Sequence, residues 1–196
     1  MTNLGTFGLP VSTDFVLYPR QRKPIFVISR WAAGLYALRA AERVRPLFLT
    51  SECPPETMRF ISVALEGCRD AVTTGGRGRG YLKDLALSAH VYVKGRPRAP
   101  LVGQCLAHLL LYMANGLTDD IVNSTLWGAA ILMSVGGDDA LGGFRDACWH
   151  DHALLKAATE REGWDERSPV PLDAAGPLWP AGTPAWTVPR RPAVKH

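Results

Sequence analysis

The chain has 196 residues, of which 47% are hydrophobic and 20% charged, and its mean hydropathy is close to zero. This length and composition suit one compact globular domain and exclude wholesale disorder. The formal net charge of +4 conceals an asymmetry, because residues 1–100 carry +8, residues 101–150 carry −4 and the remainder is neutral. A chain polarised in this way can steer a charged partner towards one surface.

The first ten residues, MTNLGTFGLP, contain neither a basic region nor a continuous apolar run, so no secretory signal is predicted. The most apolar stretch, residues 126–135, has about half the length needed to span a bilayer and is expected to be a buried helix. The four cysteines are far apart in a chain that is large enough to have its own core, which is typical of reduced thiols. We therefore expect a cytoplasmic protein that does not enter a membrane.

Hydrophobic residues recur at helical spacing from residue 29 to residue 163, and only residues 25–28, IFVI, look like a strand. The first predicted helix follows Ser29, and Pro46 is expected to end or kink it. Its inward residues are predicted to be Trp31, Leu35, Leu38 and Val44. Its outward residues are predicted to be Arg30, Arg39, Glu42 and Arg43.

The second predicted helix covers residues 55–73, because Pro55 suits a first helical turn and Gly75 and Gly76 suit the end. Thr118, followed by two aspartates, begins a helix that is apolar nearly all round and is therefore expected to be the central one. The remaining helices are predicted over residues 80–93, 100–114, 118 to about 134, and from Asp138 or Asp139 to residue 163.

Residues 164–196 differ from the rest, since they hold seven of the 15 prolines and three tryptophans and show no periodicity. Large aromatic side chains in such a segment usually dock on a core. The sequence thus predicts an all-α single domain with a single antiparallel bundle of about six helices at residues 29–163. An N-terminal arm at residues 1–28 precedes the bundle. An extended Pro/Trp-rich tail at residues 164–196 is expected to pack on the bundle, with a frayed basic end at residues 190–196.

The segment GGRGRG, residues 75–80, offers flexible backbone amides beside Arg77 and Arg79, a combination that can hold phosphates or an RNA backbone. It lacks the lysine and hydroxyl pair of a P-loop, and an exposed connection between helices is the plainer interpretation. Together with Lys94, Arg96 and Arg98 at the other end of the next helix, the loop supports an alternative hypothesis, a nucleic-acid-binding module.

Two pairs of side chains have the spacing of metal ligands: Cys105 with His108, and Cys148 with His152. If the two helix faces met, they would form a zinc site, which gives a third hypothesis, a metal-dependent hydrolase. Both cysteines also lie on predicted apolar stripes, where cysteine behaves as a small hydrophobe. Since hydrolase, dinucleotide and P-loop motifs are absent from the sequence, we expect neither catalysis nor a cofactor.

Three segments carry a family pattern: WAAGLYALRAAERVRPLF at residues 31–48, LALSAHVYVK at residues 85–94 and VGQCLAHLLLYMANGL at residues 102–117. They resemble helical immunity proteins of bacterial polymorphic-toxin systems. In that family an alanine-rich helix with A-E-R and a proline-interrupted L-F opens an all-helical bundle. A small-residue helix with one histidine and a G-Q-x-x-A-H-like helix follow. The Pro/Trp-rich tail departs from the pattern. The resemblance implies binding to a cognate toxin, without catalysis or metal.

We therefore predict a non-enzymatic protein-binding protein, an immunity protein that neutralises a bacterial toxin. The predicted partner-binding patch extends from the outward face of the first helix to the glycine-arginine loop and consists of Arg39, Arg43, Arg77 and Arg79. Charge steers the encounter while buried arginines and aromatic residues supply affinity, so a basic surface favours an acidic partner. Such a surface fits poorly with blocking the basic active site of a nuclease.

Overall fold

The computed structural model describes residues 28–48, 53–93 and 99–187. No strand occurs within these ranges, and the predicted all-α fold class is confirmed. Three short 3₁₀ helices lie at Arg79–Tyr81, Leu172–Ala175 and Ala185–Thr187. The α-helices are α1 (Arg30–Phe48), α2 (Pro55–Thr73), α3 (Leu82–Val93), α4 (Ala99–Asn115) and α5 (Thr118–Glu162).

Helix α2 has the predicted bounds. Pro55 occupies its first turn, where the missing amide hydrogen costs no hydrogen bond, and Glu56 lies near the positive end of the helix dipole. Its buried stripe includes Ile61, Leu65 and Cys68. Local sequence therefore determined this helix, whereas the predicted strand-like segment and N-terminal arm fall almost wholly outside the described residues, as does the basic end of the tail.

Helix α1 is buried on every side from Trp31 to Ala41, and it packs against α2, α4 and α5. The predicted inward residues are all buried, as expected. The sequence assigned the central position to the helix after Thr118, but α1 is at least as enclosed. The burial of α1 was not predicted because the helix contains several charged residues, and charged residues in a helix normally lie on the face in contact with water.

The last two predicted helices follow each other without an assigned loop and form one helical element, α5. The helix is nevertheless bent. A Cβ built on Gly128 would lie 3.6 Å from Cζ of Phe144, although 16 residues of straight helix extend about 24 Å. Sharp bends occur at glycine and serine pairs, and Ser134, Gly136 and Gly137 lie between these two positions. Both ends of α5 can therefore pack against the same core.

Helices α3 and α4, α4 and α5, and α1 and α5 form the most extensive helix pairs. The shared core contains Leu82 of α3, Leu106 and Leu109 of α4, and Phe144 of α5, all fully buried. Among the described residues, no helix combines the length and the apolar character required to cross a lipid bilayer.

Candidate protein-docking surface

The prediction that Arg39 and Arg43 lie on an exposed face is wrong, because both side chains are buried. The fully buried carboxylate of Asp151 in α5 lies between them. Arg39 donates from Nε to Oδ2 at 2.9 Å and from Nη2 to Oδ1 at 3.0 Å. Nη2 of Arg43 lies 2.7 Å from Oδ2. Buried charges require such partners, and we call these three residues the arginine clamp.

The arginine clamp also binds the main chain of the C-terminal segment. The Arg43 guanidinium lies 5.6 Å from the ring centre of Trp179, which packs edge-to-face on Trp186. The side chains of both arginines are thus in contact with other residues of the same chain. At distances of 2.6–3.3 Å, Arg39 and Arg43 donate to four consecutive carbonyl oxygens, those of Ala175, Gly176, Pro177 and Leu178.

The glycine-arginine loop between α2 and the first 3₁₀ helix is held from two sides. Gly75 has a φ of +63°, and a Cβ there would overlap the carbonyl oxygen of Arg167. Gly76 also has positive φ, and a Cβ would overlap the indole of Trp31. Only glycine suits both positions, because L side chains rarely adopt this backbone region. The loop is thus fixed between the C-terminal segment and α1.

Arg77 is exposed and Arg79 is partly exposed on this fixed loop. The Arg79 guanidinium lies 5.7 Å from the ring centre of Trp31, an arrangement typical of a cation–π contact. In the part of the chain that the structure describes, neither arginine forms an ion pair with an acidic residue. Their charge is therefore available to another molecule.

A hollow of about 270 Å³ opens beside the loop, and we call it the Gly-Arg pocket. Its lining includes two basic residues, Arg77 and Arg79, and one acidic residue, Asp70, which has no ion-pair partner among the described residues. Burial and the nearby Asp70 raise the pKa of Tyr81, so its hydroxyl stays protonated and can donate a hydrogen bond. The lining residues are Gly67, Asp70, Ala71, Thr74, Arg77, Gly78, Arg79 and Tyr81.

Helix α3 begins next to this pocket and carries two of the most exposed apolar side chains among the described residues. Leu87 and Val91 are each 71% exposed, and their spacing of four residues places them on one face. We call this pair the apolar ridge. Tyr81, which lines the pocket, is ten residues before Val91, or about 15 Å along a helix axis. The pocket and the ridge thus lie close enough for one partner to contact both.

The apolar ridge was missed in the sequence. Helical spacing places Leu82, Leu85, Ala89 and Tyr92 on one apolar stripe of α3, to which Leu87 and Val91 do not belong. Their position off the stripe is the signal that could have identified them. Tyr92 itself is nearly half exposed and stacks on Phe60 of α2, with ring centres 4.5 Å apart.

The two cysteine and histidine pairs have separate partners. Cys105 lies 3.9 Å from the Ser124 hydroxyl, and His108 Nδ1 lies 2.8 Å from Oδ1 of Asp120. Cys148 lies 3.8 Å from Nη1 of Arg43, and the His152 ring packs edge-to-face with Trp149. Across residues 28–48, 53–93 and 99–187, no group of three or more potential ligands has the geometry to hold a metal ion.

The buried thiols are poor nucleophiles. Burial raises the pKa of Cys105 to about 12 and that of Cys148 to about 11, and it raises the pKa of Cys68 further. The thiolate is the reactive species, so these three groups remain protonated and inert at neutral pH. No disulfide joins any of the four cysteines.

The alternative nucleic-acid surface combines the glycine-arginine loop with the basic residues predicted at the far end of α3. Arg77 and Arg79 are accessible at the start of α3, whereas Lys94, Arg96 and Arg98 lie outside the described residues. The Asp70 carboxylate in the same pocket opposes a phosphate, because like charges repel.

Comparison with protein-family models, with curated proteins and with solved structures gave no significant match for this chain.

Proposed function

We propose that the protein is a non-enzymatic binding protein whose partner is another protein, and that the partner is a cognate bacterial toxin, which it neutralises in the cytoplasm. One observation carries the binding role: a basic pocket with unpaired arginines lies next to an exposed apolar helix face. The resemblance of three helical segments to immunity proteins supports the toxin as partner.

The apolar ridge supplies affinity in this proposal. Scattered exposed apolar residues are ordinary, but Leu87 and Val91 lie on one helix face and point away from the core. Burying each side chain against a partner contributes about 1.5–3 kcal/mol at most. A helix face with apolar residues four positions apart is a common binding element in protein complexes.

The Gly-Arg pocket steers the partner towards this surface in the proposal. The unpaired guanidinium groups of Arg77 and Arg79 attract acidic groups over roughly 8–10 Å at physiological ionic strength. They therefore increase the rate of encounter with an acidic surface. The proposed binding surface therefore differs from the predicted patch. It keeps Arg77 and Arg79, adds the exposed face of α3, and excludes Arg39 and Arg43, which are buried in the arginine clamp.

The experiment replaces Leu87 with a photo-crosslinking amino acid in the native host. A crosslinked protein is identified and expressed alone, where a toxin is expected to arrest growth, and then together with this protein, which is expected to restore growth. The double variant Leu87→Lys with Val91→Lys is expected to fold normally and to lose this protection, because lysines cannot be buried against the partner without cost.

Leu117→Lys is the matched control, since Leu117 is 60% exposed and lies outside α3. It is expected to protect as the wild type does. Protection that survives the double variant would refute the α3 surface, and a captured protein that is harmless when expressed alone would refute toxin neutralisation. Salt-sensitive binding of single-stranded RNA that depends on Arg77 and Arg79 would favour the nucleic-acid alternative instead.

A further inference from the structure

We infer that the Gly-Arg pocket receives one carboxylate side chain, an aspartate or a glutamate, from the protein partner. This inference rests on the proposed function and names the chemical group that the pocket recognises.

The size of the pocket limits its occupant. Sites for cofactors and drug-sized ligands have volumes of roughly 300–1,000 Å³. The Gly-Arg pocket, at about 270 Å³, lies at the lower end of this scale and is large enough for a side chain of the partner.

The charge of the pocket selects a monoanion. The lining residues Arg77, Arg79 and Asp70 together carry a formal net charge of +1. One carboxylate neutralises it, whereas a phosphate dianion leaves an excess negative charge beside Asp70. Arginine also matches a carboxylate geometrically, because its planar fork can donate two parallel hydrogen bonds.

The rigidity of the site favours binding. Arg79 rests on the buried Trp31 ring, and the loop is fixed at Gly75 and Gly76 by close contacts with Arg167 and Trp31. Side chains that are positioned before binding lose less conformational entropy when they bind. By contrast, arginines on a flexible loop would lose conformational entropy for each hydrogen bond that they form.

The geometry also restricts the partner sequence. The pocket lies about 9–15 Å along the α3 axis from the apolar ridge, as counted from Tyr81 to Leu87 and to Val91. A partner helix parallel to α3 would therefore carry its acidic residue six to ten positions from its apolar contact residues. This spacing distinguishes the docking segment from a generally acidic surface.

The test uses the whole protein and a probe that needs no identified partner, N-acetyl-aspartate N-methylamide. Side-chain Nε–H signals of the arginines are followed by NMR at constant ionic strength. We expect saturating shifts at Arg77 and Arg79, with a dissociation constant of about 1 mM or weaker for so small a ligand. The exposed Arg59 in α2 serves as the reference and is expected to show no saturation.

The asparagine analogue of the probe has nearly the same shape without the charge and is expected to leave both signals unchanged. Arg77→Gln with Arg79→Gln is expected to abolish the saturating response. Asp70→Asn is expected to tighten binding by about 1.5- to 5-fold, because it removes a repelling charge at an exposed site.

The inference is overturned if aspartate and asparagine probes act alike, if Arg59 responds as strongly as Arg79, or if inorganic phosphate binds more tightly than the aspartate probe. These outcomes are independent of Leu87 and Val91. Failure of the pocket and failure of the toxin-binding function can therefore be told apart.

Discussion

Replacement of Asp151 by asparagine is expected to destabilise the folded protein by about 3–5 kcal/mol, the usual cost of removing one partner of a buried ion pair. Asp151 and Arg43 are fully buried and Arg39 nearly so, with nitrogen-to-oxygen distances of 2.7–3.0 Å. Asparagine has almost the same size, so packing changes little. The loss arises because two buried cations no longer face an anion.

This loss should be a large fraction of the total free energy of unfolding. Typical domains are stable by about 5–15 kcal/mol, and for a chain of this length each kcal/mol corresponds to about 2–4 °C in Tm. The melting temperature of the Asp151→Asn variant should therefore fall by about 6–20 °C. The arginine clamp also holds four carbonyl oxygens of residues 175–178, so the C-terminal segment is expected to loosen at the same time.

Equilibrium urea unfolding measures this loss through two signals. Far-ultraviolet circular dichroism reports the helices, and tryptophan fluorescence includes Trp179 beside Arg43. Asp146→Asn is the matched control, because Asp146 lies on the same helix, is largely exposed and pairs with the neighbouring Arg145. It should change stability by no more than about 0.5 kcal/mol. A loss below about 1 kcal/mol in both signals for Asp151→Asn would refute the role assigned to the carboxylate.

Three further outcomes are expected. Gly75→Ala should destabilise the fold by about 1–3 kcal/mol in urea unfolding, through positive φ and overlap with the Arg167 carbonyl, whereas alanine at Gly80, which has open space around it, should cost less. In the native protein a thiol reagent at pH 8 should modify Cys53 alone, since it is the only cysteine that is not buried; rapid labelling of more than one thiol would contradict the burial. Stability should decrease with alkali between about pH 9 and 11, because unfolded cysteines lose their protons near their usual pKa while the three buried thiols keep theirs. Above about pH 10 the buried hydroxyls of Tyr36 and Tyr112 add to this loss, because burial raises their pKa as well. In pH-dependent unfolding near pH 9.5, Cys148→Ala should therefore make the slope shallower by about 1 kcal/mol per pH unit.

The sequence by itself determined the fold class and most helix boundaries. Helix α2 shows why: Pro55, an apolar residue at every third or fourth position and the glycines after Thr73 are local signals, and each acts within one or two turns. The glycine-arginine loop was also evident, because glycine marks backbone conformations that other residues avoid.

Only the tertiary structure decided what the arginines do. Arg39 and Arg43 resemble solvent-exposed residues in the sequence, but their counter-ion, Asp151, is 112 residues from Arg39 and is brought to them by the packing of α5 on α1. Sequence periodicity records which face is apolar. Periodicity does not indicate whether a buried charged residue forms an ion pair with a residue of another helix.

The same limit applied to the candidate docking surface. Leu87 and Val91 lie off the apolar stripe of α3, and α2 and α4 cover other sides of this helix and leave the two side chains exposed. The sequence named Arg77 and Arg79 as candidate binding residues, whereas the exposure of the apolar ridge next to them was decided by the three-dimensional packing, because exposure depends on which neighbouring helices are present.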